Sequence, residues 1–598
     1  MSKNEKKAEE RFGNYKLTNK KVIYIDPETK EESVIAKHLK IQSILENLEN
    51  GEIRLKLEFW YRGQMKIEEI ARSQLTSYEL PKLLDTGLDV FDHKAKKVIS
   101  YLSVQEEYAP LEYNHSHVGW AVHEGKPVYK HLKAINTDGS LTSSYIGEEP
   151  PLKSTGTLEK WNSLINQEVI GTPTLELALV MGFSSVIVGL INIDGEIDSL
   201  VFHLWGDSTK GKTTAAKLAV SPFGKPSTTE GLINTWNGTK NSLISKVKNN
   251  HGIPFVVDEA SVNSMKDFTQ MTYQLASGIE KSRLTKEAKL RKPETWATTI
   301  ISTAEKSLVS NSSQNVGQLM RVFEFEEVTW TKDAPNADRL CDGITLNYGH
   351  AGPLFAEHVA GLEEEALVTK WHEWTKWLYK RIEESQGTDR FTHRIANKLS
   401  ILLLTADLVK EGLGLQLNID GIADLLLEQN AQTADLRDIG GKAMQLVIGQ
   451  IIEHKSKFEK EHTPGDFDAS SYECWGRLKH VGNQVEVSVL PHKFREILQK
   501  CGFEDEKVVL SNWKAKGYLI HDKGKNQKKT TVHNADEKHK HKDKRTPTIC
   551  FRVPRQSLSL ETDAQPARNR PQPMHEAIDE AVDQFLENNE QHEEGDPS

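Results

Sequence analysis

SLVFHLWGDSTKGKTTAA, residues 199–216, decides the fold. Leu200–Trp205 is an unbroken apolar run, the pattern of a parallel strand covered on both faces. Gly206, Asp207, Ser208, Thr209, Lys210, Gly211, Lys212 and Thr213 then satisfy G-x-x-x-x-G-K-[ST] at every fixed position, and a helix-forming stretch begins at Thr214. Glycines at these places let backbone N–H groups wrap a polyphosphate at a helix N-terminus. The spacing brings Lys212 to the β- and γ-phosphates and the Thr213 hydroxyl to a Mg2+ ion. Residues 206–214 are therefore expected to hold a nucleoside triphosphate.

A second apolar strand, Pro254–Val257, runs into Asp258 and Glu259, about 46 residues after Lys212. Beside the first strand, Asp258 is placed to hold the metal's water shell and Glu259 to polarise an attacking water. TWATTIISTAE (295–305) reads as a third strand whose polar end suits a γ-phosphate sensor, with Thr303 the first choice and Ser302 the alternative. GQLMRVFEFEEV (317–328) sets Arg321 just before a fourth strand, where it could serve the γ-phosphate of a neighbouring subunit.

Composition bounds the rest. With 598 residues, about three or four domains are expected. A 37% hydrophobic and 27% charged content is that of a soluble protein, and no apolar run nears the roughly 20 residues of a membrane span. The start, MSKNEKKAEER, lacks the apolar segment of a secretory signal, so a cytoplasmic location is expected. Cys341, Cys474, Cys501 and Cys550 form no C-x-x-C pair, which argues against a zinc ribbon or a disulfide framework. The net charge of −10 lies almost wholly in residues 556–598, where 11 acidic residues face Arg568 and Arg570. The nearly neutral remainder leaves room for a basic nucleic-acid face.

The expected organisation is multidomain α/β. Residues 1–14 read as disordered, 15–115 as an α+β domain, 116–365 as the P-loop domain and 366–460 as a helical lid. Residues 466–555 read as a winged helix and 556–598 as an acidic disordered tail. In 15–115, KKVIYID and EIRLKLEFWYRG read as strands, and MKIEEIARSQL, SYELPKLLDTGL and DHKAKKVISYLSVQE as short amphipathic helices. TLELALVMGFSSVIVGLIN reads as a buried helix against the P-loop sheet. Arg394, with Arg390 behind it, is the candidate second arginine sensor on the lid. In the tail, MHEAIDEAVDQFLENN sets Ile578, Val582 and Phe585 at helical spacing, a candidate docking helix for a protein partner.

GDSTKGKTT, VVDEA, IISTAE, GQLMRVFEF and NYGHAGPLFAEH (347–358) together resemble the AAA+ family of mobile-element proteins that includes the helicase of staphylococcal cassette chromosomes. That helicase is similar to the minichromosome maintenance (MCM) replicative helicases. The resemblance implies an AAA+ ATPase core and a ring, a homo-hexamer, that couples ATP hydrolysis to movement on single-stranded and forked DNA during replication of a mobile element. It implies phosphate and Mg2+ roles for Lys212 and Thr213, metal binding by Asp258, water activation by Glu259, sensing by Thr303 and a finger in trans from Arg321. It also implies a channel hairpin within 282–299, where Lys286, Lys289, Arg291 and Lys292 would grip DNA phosphates. The alternatives are an AAA+ initiator that melts DNA without processive unwinding, and an ATP-gated DNA-binding scaffold.

Overall fold

The computed structural model describes residues 9–136, 139, 141–195, 197–260, 269–282, 290–309, 320–437, 439–460, 473–503, 505–532 and 545–558. They fall in two units, Met1–Ile439 and Gly440–Ser598. The candidate docking helix near Phe585 lies outside the described residues, as do Lys286 and Lys289.

At the centre of the first unit is a five-stranded sheet of β1 (Leu200–Trp205), β2 (Ile233–Thr235), β3 (Phe255–Asp258), β4 (Thr299–Ala304) and β5 (Val322–Glu326), in the order β2-β3-β4-β1-β5. Every pairing is parallel. Parallel strands need crossovers on the sheet faces, which explains why β1, apolar but for His203, and β4, built of isoleucine, alanine and small hydroxyl residues, are buried almost throughout. One face is closed by α1 (Pro173–Ile191) and α2 (Lys212–Val220). The other buries Trp236, Leu243, Val247, Leu275 and Trp296.

Among the described residues, α1 is the one helix long and apolar enough to cross a membrane, and 89% of its apolar window is buried inside the unit. Lacking a polar face, it must be covered all round. The helices Glu364–Gln386, Thr392–Leu413 and Ile419–Arg437 take part in that covering, sharing one apolar core with α1. α1 meets α2 at Gly182, where an added Cβ would lie 1.9 Å from the carbonyl oxygen of Ala219. The close approach sets the helix that carries Lys212.

Ahead of this core, a four-stranded antiparallel sheet (Glu10–Phe12, Tyr15–Leu17, Lys21–Ile25, Glu32–Lys37) adjoins a five-stranded one. Three expectations need correction here. Glu10–Phe12 is a strand, paired with Tyr15–Leu17, inside the stretch read as disordered. MKIEEIARSQL is mostly strand, because Gln64–Ala71 returns alongside Ile53–Tyr61. The turn between them has φ of 51° at Arg62 and 83° at Gly63, two left-handed residues that close a tight hairpin. Finally, Ser143–Tyr145 joins the N-terminal sheet beside Leu111–His115, so the boundary at 115 is crossed by a returning strand. The buried ion pair of Glu49 and Lys130, 2.6 Å apart, also crosses it.

The second unit sets two helices ahead of three strands. Helices Pro491–Lys500 and Glu506–Ala515 lead into Leu519–Ile520, then Lys528–Thr531 and Arg545–Pro554, and both of the former strands pair antiparallel with the last. Trp513 is its anchor, edge-on to Phe494 and Phe551, with its indole N–H donating to the carbonyl of Gly440. The unit begins before 466: Phe458–Lys460 pairs with Gly476–Val481, and the helix Ile439–Glu453, read as lid, belongs here in all but its first residue. At the other end Leu558, assigned to the tail, is buried.

Gly182→Ala should cost about 1–3 kcal/mol or more, because the clash is with backbone that cannot rotate away. Thermal unfolding measures it; an unchanged midpoint would mean that the two helices can separate freely.

Candidate nucleotide site

Loop 206–211 leaves the C-terminal edge of β1, and its neighbours on both sides are set by register. Leu204 stands beside Thr303 of β4, and Trp205 beside Glu326 of β5. Gly206 and Gly211 have φ of 142° and 78°. An added Cβ on Gly206 would lie 2.7 Å from Glu327 Oε1, and one on Gly211 would lie 2.8 Å from Thr331 Cγ2. Both glycines are thus required by backbone angle and by the segment that follows β5. Lys212 Nζ donates to the carbonyls of Gly206 at 2.8 Å and Asp207 at 2.6 Å, folded across its own loop.

The carboxylate strand meets the loop through threonines. Thr213 Oγ1 donates to Asp258 Oδ1 at 3.3 Å. Thr303 Oγ1 donates to the same Asp258 oxygen and accepts the backbone N–H of Glu259 at 3.0 Å. One hydroxyl therefore fixes both acids. Glu259 has φ of 63°, a left-handed conformation that strains a residue with a side chain, and its side chain borders the cavity. The cavity holds about 470 Å³ and is lined by Lys212, Thr213, Glu259, Glu305, Asp333 and Asp338 among others. Among the described residues, the helical segment contributes nothing to it; the expected lid packs on α1 instead.

The donor set suits magnesium. Thr213 and Asp258 offer only oxygen, as a hard cation that keeps most of its waters requires. Among the described residues no cluster of three or more His, Cys, Asp or Glu could form a separate metal centre.

Ser302 and Thr303 point to opposite sides of β4, as alternate residues of a strand must. The Ser302 hydroxyl lies 3.0 Å from His203 Nδ1 and accepts the Trp236 indole N–H at 3.0 Å, inside the sheet packing. Burial pushes the His203 imidazole down to about 4, so it stays neutral and structural at working pH. Only Thr303 reaches the acids.

Arg321 and Arg394 stand at the other edge of the sheet. Arg321 immediately precedes β5, with its guanidinium 4.8 Å from the centre of the Tyr273 ring. Arg394 Nη2 is 3.9 Å from Asp198, a residue that precedes β1. Lys398 lies 3.4 Å from that carboxylate and donates to the Met320 carbonyl at 3.4 Å. Eight residues of extended chain separate Asp198 from Gly206, about 26 Å at a strand's rise. Arg390 stacks on Phe391.

Between β3 and β4, residues 278–280 and 294–296 run antiparallel, joined through Glu280 N to Glu294 O and Trp296 N to Gly278 O. These two stretches bracket the expected basic segment, of which residues 283–289 lie outside the described residues. Arg291 pairs with Glu294 at 2.8 Å, half exposed.

Two residues at the loop escaped the sequence reading. Glu305, one past β4, accepts from Ser208 Oγ at 2.6 Å. Glu327, one past β5, accepts from the Asp207 N–H at 2.9 Å. An acid directly after a strand was visible for both, but its importance depends on β1 lying between β4 and β5.

The class so defined is a mixed α/β, multidomain protein with a phosphate-loop sequence at the edge of a parallel sheet and a separate helix-turn-helix unit. Residues 14–295 match a family model described as a domain of unknown function, DUF927, and residues 438–556 match one described as the Cch helix turn helix domain. The solved structure "SCCmec type IV Cch - active helicase" is 23% identical, with a TM-score of 0.74 over 92% of this chain and 100% of that one. The chain resembles Cch in overall fold and in its last domain. The apo A form of the NrS-1 C-terminal region matches at 10% identity over 64% of this chain and 90% of that one, with a TM-score of 0.21. No curated protein matches the sequence.

The two hydroxyls of β4 should respond differently to removal. Ser302→Ala strips His203 and Trp236 of a buried partner and should lower the melting temperature. Thr303→Ala should leave melting nearly unchanged while weakening binding of magnesium nucleotide, as read by calorimetric titration. Equal effects from both would contradict the division.

Proposed function

We propose that this chain is an ATP-dependent, ring-forming DNA helicase with an AAA+ core, serving replication of a mobile element. The observation that carries the reading is the strand order, which inserts β4 between the loop strand and the carboxylate strand. That insertion is what puts the Thr303 hydroxyl against Asp258 and the Glu259 amide at the loop's edge. The fold shared with Cch and the helix-turn-helix domain support DNA as the substrate.

In the proposed cycle, loop N–H groups and Lys212 hold the β- and γ-phosphates of ATP. Thr213 and Asp258 hold Mg2+, which supplies charge neutralisation at the phosphates when bound. Glu259 accepts the proton of the attacking water as its oxygen bonds to the γ-phosphorus and the bond from that phosphorus to the bridging oxygen breaks, releasing ADP and phosphate. Thr303 keeps Asp258 and Glu259 in register with the loop.

Arg321 stands level with Leu200, about 20 Å of strand away from its own chain's loop, so its contribution to charge at the γ-phosphate is assigned to the adjoining subunit. Arg394 shares that edge and is assigned there too, beside Arg321. A closed head-to-tail ring completes every site in this way, and the ring proposed is a homo-hexamer. The hairpin after Gly278 starts from the same edge, and its basic residues are assigned to phosphates of the translocating strand. The pairing of Arg291 with Glu294 is half exposed, a bond weak enough to exchange for a phosphate.

Lys212→Ala should abolish ATP turnover and strand displacement on forked DNA without a specific sequence. Glu259→Gln should keep ATP binding and stop hydrolysis; turnover at the wild-type rate would sink the base assignment. Arg321→Ala and Glu259→Gln proteins, each inactive alone, should regain ATPase activity when mixed, because some interfaces then carry both groups. Mixed rings with no recovery at any ratio would make Arg321 a structural residue. Lys289→Ala with Arg291→Ala should spare DNA-free ATP hydrolysis and collapse unwinding. Melting of an origin without displacement of long strands would favour the initiator reading.

A further inference from the structure

β1 is flanked by β4 and β5, and each flanking strand is followed directly by a carboxylate that accepts a hydrogen bond from the loop. The two differ in where they face. Glu305 lines the cavity, so its charge confronts any bound phosphate. Glu327 is not among the lining residues; it takes the Asp207 N–H on the loop's outer turn. It also lies against Gly206, closely enough to forbid a side chain there, and its second oxygen is 4.0 Å from Lys210 Nζ. Its own φ of 52° is left-handed, a strain kept in a residue that has no turn glycine's freedom.

The segment after Glu327 continues the same embrace. The Trp330 N–H donates to the Lys210 carbonyl at 2.8 Å, and Thr331 presses on Gly211. The Thr174 hydroxyl in turn donates to the Trp330 carbonyl at 2.8 Å, tying the segment to the start of α1. Residues 327–331 thus touch the loop at Gly206, Asp207, Lys210 and Gly211, with Glu327 outside the phosphate cavity and Thr331 in its wall.

We infer that Glu327 is a positioning residue for the phosphate loop: it holds the loop open and correctly turned before nucleotide arrives. This rests on the reading of the loop as an ATP site. The contact needs reach rather than charge, because the group held is a backbone amide. A glutamine oxygen can accept the same hydrogen bond, whereas an aspartate keeps the charge but is one methylene too short. The side chain is 45% exposed, so either replacement is readily solvated.

The test is calorimetric titration of full-length chain with a non-hydrolysable ATP analogue and magnesium, alongside steady-state ATPase rates and melting temperatures. Glu327→Ala and Glu327→Asp should both raise Kd and KM roughly tenfold, about the effect of one lost charge-assisted hydrogen bond. Their kcat at saturation and melting temperature should stay near wild type. Glu327→Gln should bind within about threefold of wild type. If Glu327→Gln is as impaired as Glu327→Asp, or if Glu327→Asp binds normally, the positioning role is overturned. Lys212→Ala separates the two levels. Should it lose binding while every Glu327 variant binds normally, the ATP site stands and this inference falls. Should it also bind normally, the ATP site itself falls. Should Glu327→Ala fail to fold, the Gln and Asp pair still decides.

Discussion

The parallel register of β1 with its two neighbours governs the C-terminal edge of the sheet. Because Leu204 stands beside Thr303 and Trp205 beside Glu326, residues just past three strands converge on one loop. A one-residue slip of β4 would exchange Ser302 for Thr303 and turn the hydroxyl away from Asp258 and Glu259. The slip is resisted from inside: Ser302 is tied to His203 and Trp236, whose ring and indole are buried. The side of β4 that packs inside the sheet therefore holds in place the side that faces Asp258 and Glu259.

Packing behind the sheet serves the same edge. α1 is apolar on every face, and the helical segment after Glu364 helps bury it. Gly182 lets α2 approach within backbone contact of α1, which sets where Lys212 and Thr213 begin. At the opposite edge, Arg321, Arg394 and Lys398 gather around Asp198 and Tyr273. Cations concentrated there, with the glycine-rich loop 206–211 at the other end, give the sheet a direction, and the proposed ring uses that direction head to tail.

Much of this was legible in the sequence because it is local. The loop, its strand and its helix are consecutive residues, and Asp258 and Glu259 close a run that can only be a buried strand. The polar end of the strand narrowed the sensor to Thr303, with Ser302 the alternative, but could not say which faced the acids, since that depends on neighbours distant in the chain. Residues 65–75 satisfied a helical period, yet Arg62-Gly63 formed a hairpin turn and pairing with Ile53–Tyr61 overrode the periodicity. The lid was misplaced because the pattern of a helix shows which face is apolar, not which surface it covers. Glu305 and Glu327 were invisible as site residues until the strand order was known.

Electron microscopy of the chain with a non-hydrolysable ATP analogue, magnesium and forked DNA tests the central claim most directly. The account predicts a closed ring with nucleotide at each subunit boundary. The analogue's terminal phosphate should lie between Lys212 and Glu259 of one subunit and Arg321 of the next, with Thr213 and Asp258 at the metal. A nucleotide enclosed within single, unassociated chains, with Arg321 facing solvent, would contradict it.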